Sequence, residues 1–438
     1  MHPPYLIMKF TLKPPSGCPC SQPNQYRHLI RSLYDLKWAP LIFYNALCSH
    51  LCSLGLRNSP SSPCLLTGHL IDGAPPIYIG IYVNDIIYFS SSDEVKHKFE
   101  KLLGNLVSVD FMGQISHFLG IEFSWKFHDN GNLTVNLTQQ SFAETLIESL
   151  GFDSLSLSTF TTPYRSGCPI DSIPNEGMSS ADWDLLHLQY QSLVGSLNWL
   201  AHTTCPDLSA AVSLLAQHQS NPSSGHLDAA KYVVKYLAGT KTLGVYFTSK
   251  KSPILESFLQ FPLPPQVLSM SDANWAPQDV SQSKRSMELP IFMSRSMSTF
   301  YIDLLSPLHW LSKRQLVIAG SSAEAEIYAM DECVKLLLEL VKIMDFLGVK
   351  DIFMPSVNTI FNDNQACVNW SKQCTSKGLR HIQMKENRVS ETIEFKFIVS
   401  VCHINGKLNI ADIFTKEMKD VGHFVTLHNL SMCPRLMH

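Results

Sequence analysis

VLSMSDANWA, residues 267–276, is the stretch on which the fold turns. The apolar strand VLSM runs through Ser271 to Asp272, in SDANWA. Three further segments downstream repeat the theme. VNTIFND (357–363) is a β-branched run that ends on Asp363, and the period-2 strand EFKFIVSV (394–401) precedes ADIFTK (411–416), which carries Asp412. Between VLSMSDANWA and VNTIFND, SSAEAEIYA (321–329) opens a long helix with Ser321 and Glu324 spaced as a capping box, and Glu326 falls in its first turns. The order strand, hairpins, long helix, strand, helix, strand, helix predicts an α/β domain. Carboxylates at strand ends and in a helix's first turn can converge on one point. Such groups repel unless a divalent cation joins them, and two cations about 4 Å apart can clamp both oxygens of a phosphodiester displacement. Spacing alone favours the ordinary reading, solvated turn and cap aspartates.

Working outward, the 438 residues suggest about three domains. At 45% hydrophobic and 16% charged, with a net charge of −3, the chain can bury a large core and is no disordered tail or histone-like basic coat. No apolar run reaches the roughly 18 residues of a membrane span, so no membrane partner is expected. The N-terminus MHPPYLIMKF does not read as a secretory signal. The twelve cysteines show no paired zinc spacing, which predicts a reduced intracellular setting, cytoplasm or nucleus, and no secretion.

Upstream, residues 28–56 read as helical. PIYIGIYVNDIIYFS (76–90) reads as a hairpin around Asn84-Asp85, Asp93 to Leu106 as a charged helix, 117–126 and 132–137 as strands, and 139–151 as an amphipathic helix. Residues 152–185 form a turn-rich connection, helices return at 185–218 and 224–239, and 252–265 is a Pro-rich boundary. Residues 229–251 carry Lys231, Lys235, Lys241 and Lys250 with Tyr232, Tyr236 and Tyr246 interleaved. That composition suits a phosphate-tracking surface with stacking partners, and equally a solvated helix whose tyrosines face a core.

Nine segments in sequence order resemble the C-terminal part of copia-type retrotransposon Pol polyproteins. RSLYDLKWAP (31–40) resembles the family's SLYGLKQAPR, YVNDII (82–87) its YVDDII, and HFLGIEF (117–123) its YFLGIEF. YQSLVGSLNWLAHTTCPDLSAAV (190–212) and HLDAAKYVVKYLAGT (226–240) resemble its SLVGSL and AAKRVLRYLKGT stretches. SDANWA, SSAEAEIYA, DNQA and ADIFTK are similar to its SDADWAG, SSTEAEYMA, DNQSA and ADIFTK.

The resemblance implies an α+β and α/β multi-domain chain: a truncated right-hand polymerase palm and thumb followed by a ribonuclease H-like α/β domain. The expected divisions are 1–151 (part of the palm and primer-grip region), 152–255 (linker and helical thumb or connection) and 256–438 (ribonuclease H-like). Residue by residue it implies nuclease carboxylates at Asp272, Glu326, Asp363 and Asp412, with Glu324 competing for the second position. These would hold two Mg²⁺ ions, or Mn²⁺ in their place, and His403 would help move a proton.

At the polymerase hairpin the family's first aspartate position is Asn84, leaving Asp85, and an amide supplies no anionic oxygen to a hard cation. Trp38 stands in place of a glutamine near the incoming nucleotide, and Asp35 in place of a glycine. The family's third aspartate lies upstream of residue 31, in a strand expected to be missing. The expectation is therefore no polymerase activity, with Mg²⁺-dependent cleavage of RNA in RNA–DNA hybrids kept. Expected partners are a hybrid or other nucleic acid, with Lys231, Lys235, Lys241 and Lys250 on its path, and a full-length Pol copy. The competing expectation is a non-catalytic nucleic-acid-binding or partner-subunit remnant of a transposable element.

Overall fold

The computed structural model describes residues 11–12, 27–28, 36–129, 131–152, 160–164, 178–248, 267–274, 295–302, 306–315, 319, 321–354, 357–371, 389, 399–415, 418 and 420–432. Lys250 and the Pro-rich boundary at 252–265 lie outside them, as does most of the connection at 152–185. The chain divides into two units, Met1–Phe118 with Lys342–Gly348, and Leu119–Val341 with Val349–His438.

In the first unit, helix α1 spans Ala39–Ser53. This is shorter than the helical reading of 28–56, and Arg27–His28 is extended. Pro40 sets the start: it has no N–H to donate and its ring is tolerated only in a helix's first turn. Strands β1 (Arg57–Asn58), β2 (Leu65–Gly68), β3 (Ile77–Tyr82) and β4 (Asp85–Phe89) form an antiparallel sheet in that order. The alternation of IYIGIY turns Ile77, Ile79 and Ile81 into the core. Gly80 on β3 is required by close approach, since a Cβ there would lie 2.9 Å from Ile87 Cγ2. Helix α2 (Asp93–Leu106) is capped by Ser92, whose Oγ accepts from the Val95 N–H, and Asp93 and Glu94 favour its positive end. Its Val95, Phe99 and Leu103, spaced by four, meet Leu47 and Leu51 of α1 in one core.

The second unit begins with strands β5 (Ile121–Phe127) and β6 (Leu133–Thr138) and helix α3 (Gln140–Ser149). Helices α4 (Ser180–Thr203), α5 (Ser209–Ala216) and α6 (Ser224–Thr240) follow, then strand β7 (Val245–Thr248), which pairs with β6. Ser179 caps α4, and Ser223 with His226 forms a capping box on α6.

The C-terminal sheet contains β8 (Val267–Asn274), β9 (Arg295–Ile302), β10 (Ser306–Arg314), β11 (Asn358–Asn362) and β12 (Val399–His403) in the order β10-β9-β8-β11-β12. β8, β9 and β10 pair antiparallel, whereas β8, β11 and β12 run parallel. Parallel neighbours need long crossovers. Helix α7 (Ser322–Phe346) lies in sequence between β10 and β11, and α8 (Gln365–Ser371) follows β11. The short α9 (Asp412–Thr415) and α10 (Val421–Met432) close the chain.

One continuous core joins the helices of 178–248 to this sheet. Tyr190, Leu197 and Leu237 belong to the same buried cluster as Met270, Trp310, Phe361, Phe414 and Phe424. Trp310 Nε1 donates to the Ala201 carbonyl at 2.6 Å, and Ser312 Oγ to the Phe414 carbonyl at 2.7 Å. Among the described residues no helix is long and apolar enough to cross a membrane.

Candidate metal centre

Parallel strands present their carboxyl ends together, and ligand sites in such sheets form there. Asp272 lies near the end of β8, Asp363 directly follows β11, and Asp412 opens α9. One carboxylate oxygen from each falls within 4.8 Å of the others. Among the described residues this is the one group of three or more His, Cys, Asp or Glu side chains close enough to hold a metal ion. Asp272 and Asp412 are buried and Asp363 is half-buried, so the cluster is reached from the Asp363 side. An all-carboxylate donor set of this kind fits a hard divalent cation such as Mg²⁺ or Mn²⁺ and does not suit soft metals.

Glu326 joins the three from α7. It is buried, and burial, reinforced by the nearby charge of Asp272, pushes its carboxyl well above the usual carboxylate range. Asn362 Nδ2 donates to Glu326 Oε2 at 2.9 Å and opposes that shift. Two residues earlier, Glu324 accepts a hydrogen bond from Tyr328 Oη at 2.8 Å, one turn along its own helix. The helix start is pinned twice: Ser321 Oγ accepts from the Glu324 N–H at 3.2 Å, and Gln315 Nε2 donates to the Ala325 carbonyl at 2.8 Å.

Four residues around the acids carry no obvious signal in the sequence. Asn362, fully buried at the end of β11, donates through Nδ2 to Ser271 O and Ser271 Oγ as well as to Glu326. Asn409, also fully buried, donates to Ser271 O at 3.2 Å and accepts from the Ala411 N–H, fixing the approach to Asp412. The Thr415 hydroxyl donates to Asp272 Oδ2. A Cβ on Gly406 would come within 3.1 Å of Asp363 Oδ2, so glycine lets this loop close over the aspartate. The one available hint is that Asn362 ends a strand directly after Ile360 and Phe361, where a buried amide must find partners. His403, the register partner of Asn362, is exposed, and its Nε2 donates to the Asp363 carbonyl at 3.1 Å.

Other expected residues belong to other elements. Asp85 is in the first unit, exposed where β4 begins, paired in register with Tyr82. Asn84 is exposed beside it, and Val83 at the hairpin tip has φ 52°, a conformation a β-branched residue rarely adopts. Trp38 is exposed at the start of α1.

On α6, Lys231 approaches Asp228 at 4.0 Å and Lys235 Nζ lies 5.4 Å from the centre of the Phe152 ring; just past its end, Lys241 pairs with Glu144 at 2.9 Å. The interleaved tyrosines depart from the surface reading. Tyr236 and Tyr246 are buried, and Tyr236 Oη donates to Asp207 Oδ2 at 2.6 Å. Tyr232 packs edge-on against Phe160. Their phase on the helix, shared with Val233 and Leu237, turns Tyr236 inward.

A reverse transcriptase (RNA-dependent DNA polymerase) family matches residues 5–165. The chain is 26% identical over 410 residues to the retrovirus-related Pol polyprotein from transposon RE1 of Arabidopsis thaliana, covering 93% of this chain and 25% of that protein. It is 24% identical over 391 residues to the corresponding polyprotein from transposon TNT 1-94 of Nicotiana tabacum, covering 89% of this chain and 27% of that protein. The chain thus spans about a quarter of the length of these curated relatives. Among solved structures, LC11-RNase H1 isolated from compost aligns at 13% identity with a TM-score of 0.26, over 34% of this chain and 93% of its own.

Proposed function

Because the chain belongs to the copia-type retrotransposon Pol family, as a stretch matching its reverse transcriptase and the segments beyond, we propose that it is a reverse transcriptase and ribonuclease H portion whose working centre is the nuclease. The proposed reaction is divalent-cation-dependent hydrolysis of RNA in an RNA–DNA hybrid. The observation that carries this reading is the convergence of Asp272, Asp363 and Asp412 at the carboxyl ends of parallel strands, with Glu326 beside them.

Asp272, Asp363 and Asp412 would hold the cation, and Glu326 would complete the acidic wall. A bound Mg²⁺ or Mn²⁺ ion supplies Lewis-acid polarisation of the phosphate and a lowered pKa for water. Thr415 and Asn409 keep Asp272 and the turn before Asp412 in place through the hydrogen bonds described above. His403 donates from Nε2 to the Asp363 carbonyl, so Nδ1 is the atom able to take up a proton at the mouth of the cluster.

On the same reading residues 1–151 correspond to part of a polymerase palm, 152–255 to a thumb or connection and 256–438 to the nuclease domain, and Lys231, Lys235, Lys241 and Lys250 line the path of the duplex. The palm-type hairpin does not polymerise, because Asn84 gives a neutral amide where a second carboxylate is needed to hold a hard cation.

The test is cleavage of a labelled RNA–DNA hybrid by the full chain in Mg²⁺. The shared core across 178–432 argues against testing a C-terminal fragment. Cleavage lost in Asp363→Asn and in EDTA supports the proposal. No cleavage by the wild type in Mg²⁺ or Mn²⁺, or cleavage that survives Asp363→Asn, overturns it.

A further inference from the structure

We infer that Asn362 is a positioning residue for Glu326, an amide built under the acidic cluster to hold the fourth carboxylate toward the three aspartates before any ion arrives. The inference rests on the metal reading of that cluster and names a residue that touches neither substrate nor the aspartate trio's shared point.

The strand places Asn362 at the last position of β11, in register with His403, and its side chain is fully buried. A buried amide is retained only if its hydrogens are used. Here Nδ2 reaches three acceptors: Ser271 O at 3.2 Å, Ser271 Oγ at 3.0 Å and Glu326 Oε2 at 2.9 Å. Oδ1 accepts from the Asn364 N–H at 2.9 Å. The amide is therefore clamped on both sides. Ser271 adjoins Asp272 on β8, Asn364 adjoins Asp363, and Glu326 belongs to α7, so one side chain ties together the backbone flanking two aspartates and the carboxylate of the third element.

Glu326 takes hydrogen bonds from the Asn362 amide and from the Ala273 backbone N–H, and of these the amide is the side-chain donor that a substitution can remove. It is buried, and the charges of Asp272 and then Asp363 disfavour its ionised form, the form a cation would use. A side-chain donor to Oε2 favours the ionised carboxylate and limits its rotamers, as outer partners do for metal ligands generally. Asn409 provides an internal contrast. It is buried as deeply and donates to the same Ser271 carbonyl at 3.2 Å, and it serves the turn before Asp412.

The experiment is a titration of the full chain with Mn²⁺ alone, free Mn²⁺ being read by electron paramagnetic resonance. Asn362→Ala, Glu326→Gln, the double variant and Asn409→Ala are compared with the wild type. Positioning through Glu326 lowers Mn²⁺ affinity on the order of tenfold in Asn362→Ala. In the Glu326→Gln background the same change has less than about a twofold effect, because the carboxylate it serves is gone. Asn362→Ser, which keeps a hydroxyl donor and is smaller, replaces Asn362→Ala if the latter does not fold, and should fall between the two. An equal loss in both backgrounds, or none in either, overturns the inference while leaving the metal reading standing. A wild-type chain that binds no Mn²⁺ overturns the metal reading and the inference with it, a separate outcome from additivity in a chain that binds the ion.

Discussion

Tyr236→Phe removes a single oxygen from a buried polar knot in the second unit. Tyr236 on α6 and Asp207, between α4 and α5, are each 1% exposed, and Tyr236 Oη donates to Asp207 Oδ2 at 2.6 Å. His428 of α10 approaches the same oxygen at 3.4 Å, and Phe424 stacks beside His428. The knot therefore links the helices of 178–248 to the C-terminal helix. Phenylalanine fills the same ring volume, so no cavity term enters. What is lost is a hydrogen bond to a carboxylate, worth about 1.5–3 kcal/mol, and the missing donor leaves a buried acceptor oxygen behind, which puts the cost toward the upper half, about 2–3 kcal/mol.

For a unit of this size that corresponds to a fall in Tm of roughly 4–10 °C. Burial, then the Asp207 charge, hold the Tyr236 hydroxyl well above its ordinary range near 10. A raised folded-state pKa contributes stability that is complete below the unfolded value and is lost as pH climbs past it toward the folded value. The wild type's advantage over Tyr236→Phe should hold from neutrality to about pH 10 and shrink above it. Thermal unfolding of both chains at pH 7 and pH 11, with hydrogen exchange on residues 206–208 and 421–432, checks this. The reasoning fails if the variant melts within about 1 °C of the wild type at pH 7, or if exchange rises in one segment alone.

Gly406→Ala should weaken Mn²⁺ affinity several-fold with little change in Tm, since the added Cβ meets Asp363 Oδ2 at 3.1 Å in a surface turn; titration calorimetry reads the first and thermal unfolding the second. Gly80→Ala should destabilise the first unit by about 1–3 kcal/mol, because its Cβ would lie 2.9 Å from Ile87 Cγ2 in the paired strands, and urea unfolding followed by tryptophan and far-ultraviolet signals measures it. Primer extension on an RNA template in Mg²⁺ or Mn²⁺ should show no incorporation by this chain, and template-dependent synthesis abolished by Asp85→Asn would contradict the reading of Asn84.

The acidic centre was legible because its members fall where punctuation is strong. Asp272 and Asp363 end apolar extended runs, and Glu326 follows a helix start marked by Ser321. The hairpin was legible from its two apolar, β-branched and aromatic runs around Asn84-Asp85, and pairing of Tyr82 with Asp85 sets the turn one residue earlier, at Val83-Asn84. What supports the centre was not legible. Asn362 meets Ser271 across 91 residues, Asn409 meets Ser271 across 138, and Thr415 meets Asp272 across 143, so no local pattern announces them. The tyrosines of α6 left two readings open. Composition suits a basic, aromatic surface and a helix whose tyrosines face a core alike; helical phase decides which way a ring faces, and it turns Tyr236 toward Asp207. The long helical reading of 28–56 ignored Pro40, which is tolerated in a helix's first turn but not in its interior, so a helix running through it from residue 28 is disfavoured.

The most direct test of the account is to crystallise the full chain with Mn²⁺ and collect anomalous diffraction. The account expects Mn²⁺ at ordinary coordination distance from oxygens of Asp272, Asp363 and Asp412, and loss of that peak in Asp363→Asn. Mn²⁺ bound elsewhere with these three carboxylates bare would contradict it.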